Sequence, residues 1–286
     1  MANTKLNYNN QQLRTLPENI RLEQQAEVLT LFKNELTELP GWLWELDNLR
    51  FLNLGDNKLV HISEDIERLQ HLHTLDLGHN LLESLPEALG KLQQLEYFLY
   101  VSNNRLSALP ASITHLQKLR YLNVTDNLLT ALPEDIGKMQ GLVELRIYNN
   151  KLVNLPYSTG QLANLRELHA MHNRLRTLPT TIGLLTNLRE LRLSNNHLTA
   201  LPDDIGHLDN LHTLDLRNNS LQTLPESIVQ LKKLRFLDLR GNNLTTIPAG
   251  IADLPLLEKL DMRWNNIDLP GNFISKLEEK GCVVYT

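Results

Sequence analysis

Charged residues recur in this chain at a fixed interval. Asp215, Asp238 and Asp261 lie 23 residues apart, and Glu144, Glu167 and Glu190 keep the same spacing. Two residues after each stands a base: Arg217, Arg240 and Arg263 in the first set, Arg146, His169 and Arg192 in the second. Acidic columns of this kind could work as general acids and bases or hold a hard cation. His169 and His172 are sequence neighbours, but two histidines without a third ligand do not build a zinc site. The lone cysteine, Cys282, is read as a buried, inert thiol on a terminal strand. No phosphate loop, HExxH or GxSxG motif occurs. Catalysis also needs a walled cavity around a defined base or nucleophile, and groups recurring along an open sheet do not supply one. The sequence therefore reads as non-enzymatic, with no catalytic residues, cofactor or metal site.

The elements that place these residues follow from the repeat. Among 286 residues there are 66 Leu and 30 Asn, and a core made almost wholly of Leu points to one packing site copied many times. The segment 188–210, LRELRLSNNHLTALPDDIGHLDN, is followed by LHTLDLRNNSLQTLPESIVQLKK over 211–233. The shared pattern is LxxLxLxxNxLxxLPxxIxxLxx. Its Asn falls at 34, 57, 80, 104, 127, 150, 173, 196, 219, 242 and 265, with Gln11 in a worn first copy. That makes twelve copies.

Within a copy, xLxLx alternates with period two and predicts a short strand with both leucines inward. Asn follows where the chain turns, able to donate to and accept from backbone groups that leave the ladder. Leu-Pro enforces an extended break. IxxLxxL then has helical spacing over one or two turns. One copy cannot bury its own leucines, so stacked copies must share a core. Parallel strands stack at about 4.8 Å and helices at about 8–10 Å, so the stack is expected to curve with its strands inside. Strand–helix–strand connections should be right-handed.

The LPxxIGxL form at 132–139 and 201–208 resembles the intracellular Ras-group subclass of leucine-rich repeat proteins and its bacterial relatives. The resemblance covers nearly the whole chain. It implies an α/β, right-handed solenoid of about twelve repeats: a curved horseshoe with a parallel sheet on the concave face and short helices or 3-10 turns on the convex face. It implies a binding surface and names no ligand. The whole chain, 1–286, reads as one domain, with a capping repeat over 1–25 and a capping helix and strand over 266–286.

The pattern breaks in three places. Asn3 and Ala26 replace first-position leucines, and the last copy, ending at Pro270, is one residue short. Its tail predicts a helix over 272–280 and a final strand burying Cys282 and Val284. The spacing from Asn80 to Asn104 is 24, which predicts a bulge between Leu95 and Leu99. It is either a tolerated insertion or a device that re-aims Phe98 and Tyr100. Thr159 and Ala170 replace larger residues at one junction. The gap is either filled by Met171 or Tyr157 or left as a softer joint.

Positions −6, −4 and −2 from each Asn face away from the leucines. Phe32, Phe51, Phe98, Tyr100, Tyr121 and Tyr148, half of the twelve Phe and Tyr residues, occupy them. Aromatics gathered on one exposed face suggest a protein interface, with Gly55 and Gly78 leaving an open floor beside them. The alternative is mutual stacking that merely covers the sheet. The centre of the patch is expected at Phe98, Tyr100, Tyr121, Arg146 and Tyr148. Arg146, His169, Arg192, Asp215, Arg217, Asp238, Arg240, Asp261 and Arg263 continue the face as charged columns. These either neutralise one another or steer a charged partner.

A formal net charge of −5 argues against nucleic acid as a partner. No stretch approaches 18 apolar residues, which excludes a membrane span. With no apolar leader in 1–12 and one cysteine, a reducing, cytoplasmic compartment is expected. The reading is a monomeric, non-catalytic module that binds an unidentified protein on its concave face. A secreted bacterial effector acting on a host signalling protein and a purely structural spacer are the alternatives.

Overall fold

The structure, a computed structural model, describes residues 4–269 and 271–286, so Asn3 and Pro270 lie outside the described residues. The chain forms two compact units, 1–142 and 143–286.

The first unit carries six three-residue strands: β1 Lys5–Asn7, β2 Val28–Thr30, β3 Phe51–Asn53, β4 Thr74–Asp76, β5 Phe98–Tyr100 and β6 Tyr121–Asn123. Each pairs in parallel with the next, so Leu6, Leu29, Leu52, Leu75, Leu99 and Leu122 align in one buried row. Leu31, Leu54, Leu77, Val101 and Val124 form a second row behind them, fully enclosed. Between strands run short 3-10 turns such as Gly41–Glu45, Glu64–Arg68 and Glu87–Lys91. Proline sets the extended entry to most of them, as Pro40 does at φ −69° and ψ 147°. Each turn has one inward Ile or Leu and closes three residues on, as where Leu92 N–H meets the Leu89 carbonyl at 3.1 Å. Five residues between two extended segments suit a short 3-10 turn better than an α-helix.

The extra residue before Asn104 is absorbed ahead of β5. The Glu96 and Tyr97 amides both donate to the His73 carbonyl, at 3.2 and 3.0 Å, while Phe98, Leu99 and Tyr100 stay opposite Thr74, Leu75 and Asp76. Phe98 and Tyr100 thus sit where every copy has those positions, and the insertion does not re-aim them. It pushes out Tyr97, whose exposed ring tilts against His73 with centroids 6.0 Å apart.

The second unit repeats the plan with β7 Glu144–Arg146, β8 Glu167–His169, β9 Glu190–Arg192, β10 Thr213–Asp215, β11 Phe236–Asp238 and β12 Lys259–Asp261. It ends in helix α1, Phe273–Glu278, and strand β13, Val283–Tyr285, which pairs with β12. Phe273, Leu277 and Cys282 are buried beneath this cap. Val284, expected to be buried, is only half-buried, because β13 is the unit's edge strand. Thr159 and Ala170 are fully enclosed. Tyr157 does not fill the space, since it is 68% exposed. The Thr159 hydroxyl has no hydrogen-bond partner among the described residues.

In both units the repeated Asn ties copies together. Asn80 donates to the carbonyls of Leu54 at 3.0 Å and Leu77 at 3.1 Å, and accepts from Leu59 N–H at 3.0 Å. Asn196 does the same with Ala170, Leu193 and Leu175. The preceding residue is left-handed throughout, from Lys33 at φ +59° to Trp264 at φ +61°. Asp, Asn, His or Gly holds most of these positions, the types that bear that conformation best.

Candidate partner-binding faces

On the first unit, the side of the strands opposite the leucines is aromatic and nearly uncharged. Phe98 stacks on Tyr100 with centroids 5.4 Å apart and planes 14° apart, and on Tyr121 at 4.8 Å and 29°. These rings and Phe51 are half-buried, while Phe32 is exposed. Phe32 and Phe51 make no ring contact among the described residues, so the structure brings together three of the expected aromatics in this unit and leaves two apart. The expected open floor is filled. A Cβ on Gly55 would meet the Asn53 and Asp76 side chains at 3.1 and 3.2 Å, and one on Gly78 would meet Asp76 and Ser102 at 3.2 and 3.3 Å.

The −4 column has a structural duty that the sequence reading missed. Its Asn and Asp side chains accept the backbone N–H two residues on. Asn53 takes Gly55 at 2.8 Å, Asp76 takes Gly78 at 2.9 Å and Asn123 takes Thr125 at 3.1 Å. Asp215, Asp238 and Asp261 take Arg217, Arg240 and Arg263 in the same way. This is the Asx turn that short polar side chains make where a strand ends, and the recurrence of Asn and Asp two residues before −2 is its sequence signal. Burial holds the Asp76 carboxyl above its ordinary range, against the Gly78 N–H and nearby His79, which pull it down.

The corresponding face of the second unit is a lattice of ion pairs. Arg192 meets Glu190 at 2.8 Å, His169 meets Glu167 at 3.0 Å, and Arg146 is bonded to Glu144. Arg240 grips Asp238 at 2.5 Å and reaches Asp261 at 3.4 Å, while Arg263 holds Asp261 at 2.7 Å. Asp215 is the weak member, with Arg217 at 3.4 Å. Burial and the charge of Asp238 hold its carboxyl above the ordinary range, against the pull of Arg217. Burial also pushes Asp261 up, but hydrogen bonds from Arg263 and the charges of Arg240 and Arg263 outweigh it and leave it lowered. Tyr148 stands half-buried on the same face, beyond Arg146.

Several positions expected to face solvent are covered. Thr125, Ser194 and Asp261 are at most 1% exposed, and Thr74, Ser102, His169 and Asp215 are buried too. Small side chains in the −2 column lie beneath larger neighbours. The Glu144, Glu167 and His169 ligand atoms lie within 4.8 Å of one another, a grouping the sequence reading did not make. Those atoms are engaged by Arg146 and by the His169–Glu167 pair. His172 turns away to Asn195, 3.2 Å distant. A shallow cavity of about 230 Å³ over β10–β12 is lined by Asp215, Arg217, Phe236, Asp238 and Lys259 among others. Phe236, Trp264 and Tyr285 are exposed here and were not singled out as site residues. The Arg263 guanidinium lies 4.9 Å from the centre of the Tyr285 ring and 5.6 Å from that of Trp264. Burial raises the Cys282 thiol above its ordinary value, which lowers its share of thiolate at neutral pH.

Strands of three residues with inward leucines, Asn bridges between copies and 3-10 returns define a solenoid built for surface recognition. The family model of the leucine-rich repeat region matches residues 41–119, 109–196 and 180–279, and the chain belongs to the leucine-rich repeat family. No curated protein matches it. A leucine-rich repeat protein of Leptospira interrogans has a similar structure, with 36% identity and a TM-score of 0.91 over 99% of this chain and 72% of that one. The ectodomain of the Arabidopsis thaliana membrane receptor kinase GASSHO1/SCHENGEN3, solved in complex with CASPARIAN STRIP INTEGRITY FACTOR 2, is 30% identical. Its TM-score is 0.77 over 94% of this chain and 36% of that one. An internalin of Listeria monocytogenes, 20% identical with a TM-score of 0.70 over 95% and 83% of the two chains, shares the fold. No helix among the described residues is long and apolar enough to cross a membrane.

Proposed function

We propose that this protein is a non-catalytic interaction module that holds another protein against the solvent-facing side of its strands, acting as a monomer and as one domain. The observation that carries this reading is the stacked Phe98–Tyr100–Tyr121 cluster. Three large rings on the open side of a sheet add nothing to the leucine core, and rigid aromatics are the residues that anchor protein interfaces. The receptor ectodomain to which the chain is similar was solved with a bound partner, which supports an interaction role of the same general kind. The ion-pair lattice of the second unit serves as a polar surface that adjusts the approach of a partner more than its grip. A cytoplasmic location and a protein partner rather than nucleic acid remain part of the proposal.

Affinity capture tests it, with the wild type compared against a Phe98→Ala/Tyr100→Ala double variant of equal melting temperature. A partner retained by the wild type and lost from the variant is the expected result. Undiminished capture by the variant places the interface elsewhere.

A further inference from the structure

The −4 column contains an anomaly. Four of its members are aspartates, and all four cap the amide two residues on. Capping does not need a charge, because Asn53 and Asn123 do the same with an amide. In Asp215, Asp238 and Asp261 the charge has a second use, since an Arg stands two residues later and pairs with it. Asp76 is followed at that place by Gly78. Among the described residues no ion pair reaches its carboxylate, which accepts the Gly78 N–H. In the −6, −4 and −2 columns of the first unit the charged residues are Lys5 and Asp76, and His79, whose charge pulls the Asp76 carboxyl down, stands just outside them. Lys5 lies three strands away, about 14 Å, beyond the reach of an unscreened charge in physiological salt.

Aromatic residues hold the register positions next to this carboxylate. Tyr100 stands opposite it on β5 and Asn53 on β3, while Phe98 and Phe51 are its diagonal neighbours. Diagonal positions on adjacent strands are within reach of aromatic side chains. Phe98 and Tyr100 stack within 14° of parallel on the next strand, and the Asp76 Oδ1 lies over the side-chain-free positions of Gly55 and Gly78. A carboxylate next to aromatic faces suits a planar, delocalised cation, which stacks on the rings and hydrogen-bonds to the oxygens together. A neutral partner would leave the half-buried charge uncompensated.

We propose that Asp76, Phe98 and Tyr100 form a subsite for an arginine side chain presented by a protein partner. This rests on the reading that partners dock on this face and adds the chemistry that the face selects.

The probe is N-acetyl-arginine amide, titrated while the Phe and Tyr ring signals are followed by NMR. N-acetyl-citrulline amide has the same shape without the charge, and methyl glucoside tests a sugar-binding surface. Saturable shifts at Phe98 and Tyr100 are expected with the arginine amide alone. Asp76→Asn keeps the oxygen that caps Gly78 and should weaken binding at least fivefold, with the melting temperature confirming the fold. Glu83→Gln, which removes an exposed charge elsewhere, should change it less than twofold. The subsite is overturned by equal binding of citrulline amide or methyl glucoside, by unchanged affinity in Asp76→Asn, or by no saturable shift in the wild type. Those results leave the capture experiment with Phe98→Ala/Tyr100→Ala standing, so the two readings fail separately.

Discussion

The strand faces of the two units solve one problem in opposite ways. Each must cover a three-residue-wide ribbon of sheet that the leucines do not occupy. The first unit covers it with Phe51, Phe98, Tyr100 and Tyr121 and keeps one carboxylate that no ion pair reaches among the described residues. The second covers it with ion pairs, each base finding its acid two residues back in the chain. A partner meeting the second face has to compete with bonds already made, and desolvating a satisfied pair is costly. A partner meeting the first displaces only water from rings. Binding energy is therefore expected on the first face and steering on the second.

The sharpest break of this comparison is Asp261→Ala. Asp261 is enclosed and holds Arg263 and Arg240 together. Removing it leaves the Arg263 guanidinium without its acid, while Arg240 keeps Asp238; because Arg263 remains partly open to water the expected loss is about 2 to 3 kcal/mol, read by urea melts. Next in size is Tyr100→Ala. It should weaken partner binding by about 2 kcal/mol with little loss of stability, whereas Arg240→Ala should mainly change the association rate and its salt dependence. Surface plasmon resonance at two salt concentrations separates these, and a comparable loss at both positions would erase the distinction.

Asn196→Ala should cost roughly 1 to 3 kcal/mol by leaving enclosed backbone groups unpaired. Asn123→Ala, which frees only the Thr125 amide, should cost about 1 kcal/mol or less. Thr159→Val removes a buried hydroxyl that has no partner and should stabilise by about 1 kcal/mol. Hydrogen exchange should correspondingly open 157–171 earlier than 188–214; equal protection would show the junction to be well packed.

The smallest effect is also the most diagnostic. The carboxyl of Asp76 is raised in the folded state, so its charge costs stability above the folded pKa. The cost disappears as pH falls through that value toward the unfolded one. Asp76→Asn should therefore raise the melting temperature slightly at pH 7, with the gain fading in acid. Asp261 is lowered, so its contribution is present above the unfolded pKa and lost as pH falls toward the folded one.

The period and the ladder Asn made the fold readable from sequence, because both arise from contacts that recur with the chain's own spacing. Alternation is visible in β2, β3, β5, β6 and β9, where the middle leucine is buried and the residues on either side are half-buried. Coverage did not follow. Ser194 and Thr125 point out of the sheet and are still buried, since burial depends on the size of neighbours 23 residues away in both directions. The Asx caps were missed for a related reason. The aspartates were weighed as charges, while Asn53 and Asn123 in the same column showed that an acceptor oxygen was what the backbone required. Tyr97 was overlooked because the insertion was followed to its in-register neighbours and not to the residue it displaced.

The Asn bridge has a consequence for how such a chain can change length. Asn196 reaches a carbonyl 26 residues back and an amide 21 back, and Asn219 makes the same two reaches. Excising residues 188–210 would hand the carbonyl and amide used by Asn196 to Asn219, with no bond left dangling. Removing part of a copy would put the relay out of step, unless the odd residue is absorbed outside the bridge as it is before Asn104, which reaches 27 and 22 residues back. Length thus changes most simply by whole copies, and the strand face can be extended or shortened by their duplication or loss without redesign of the core.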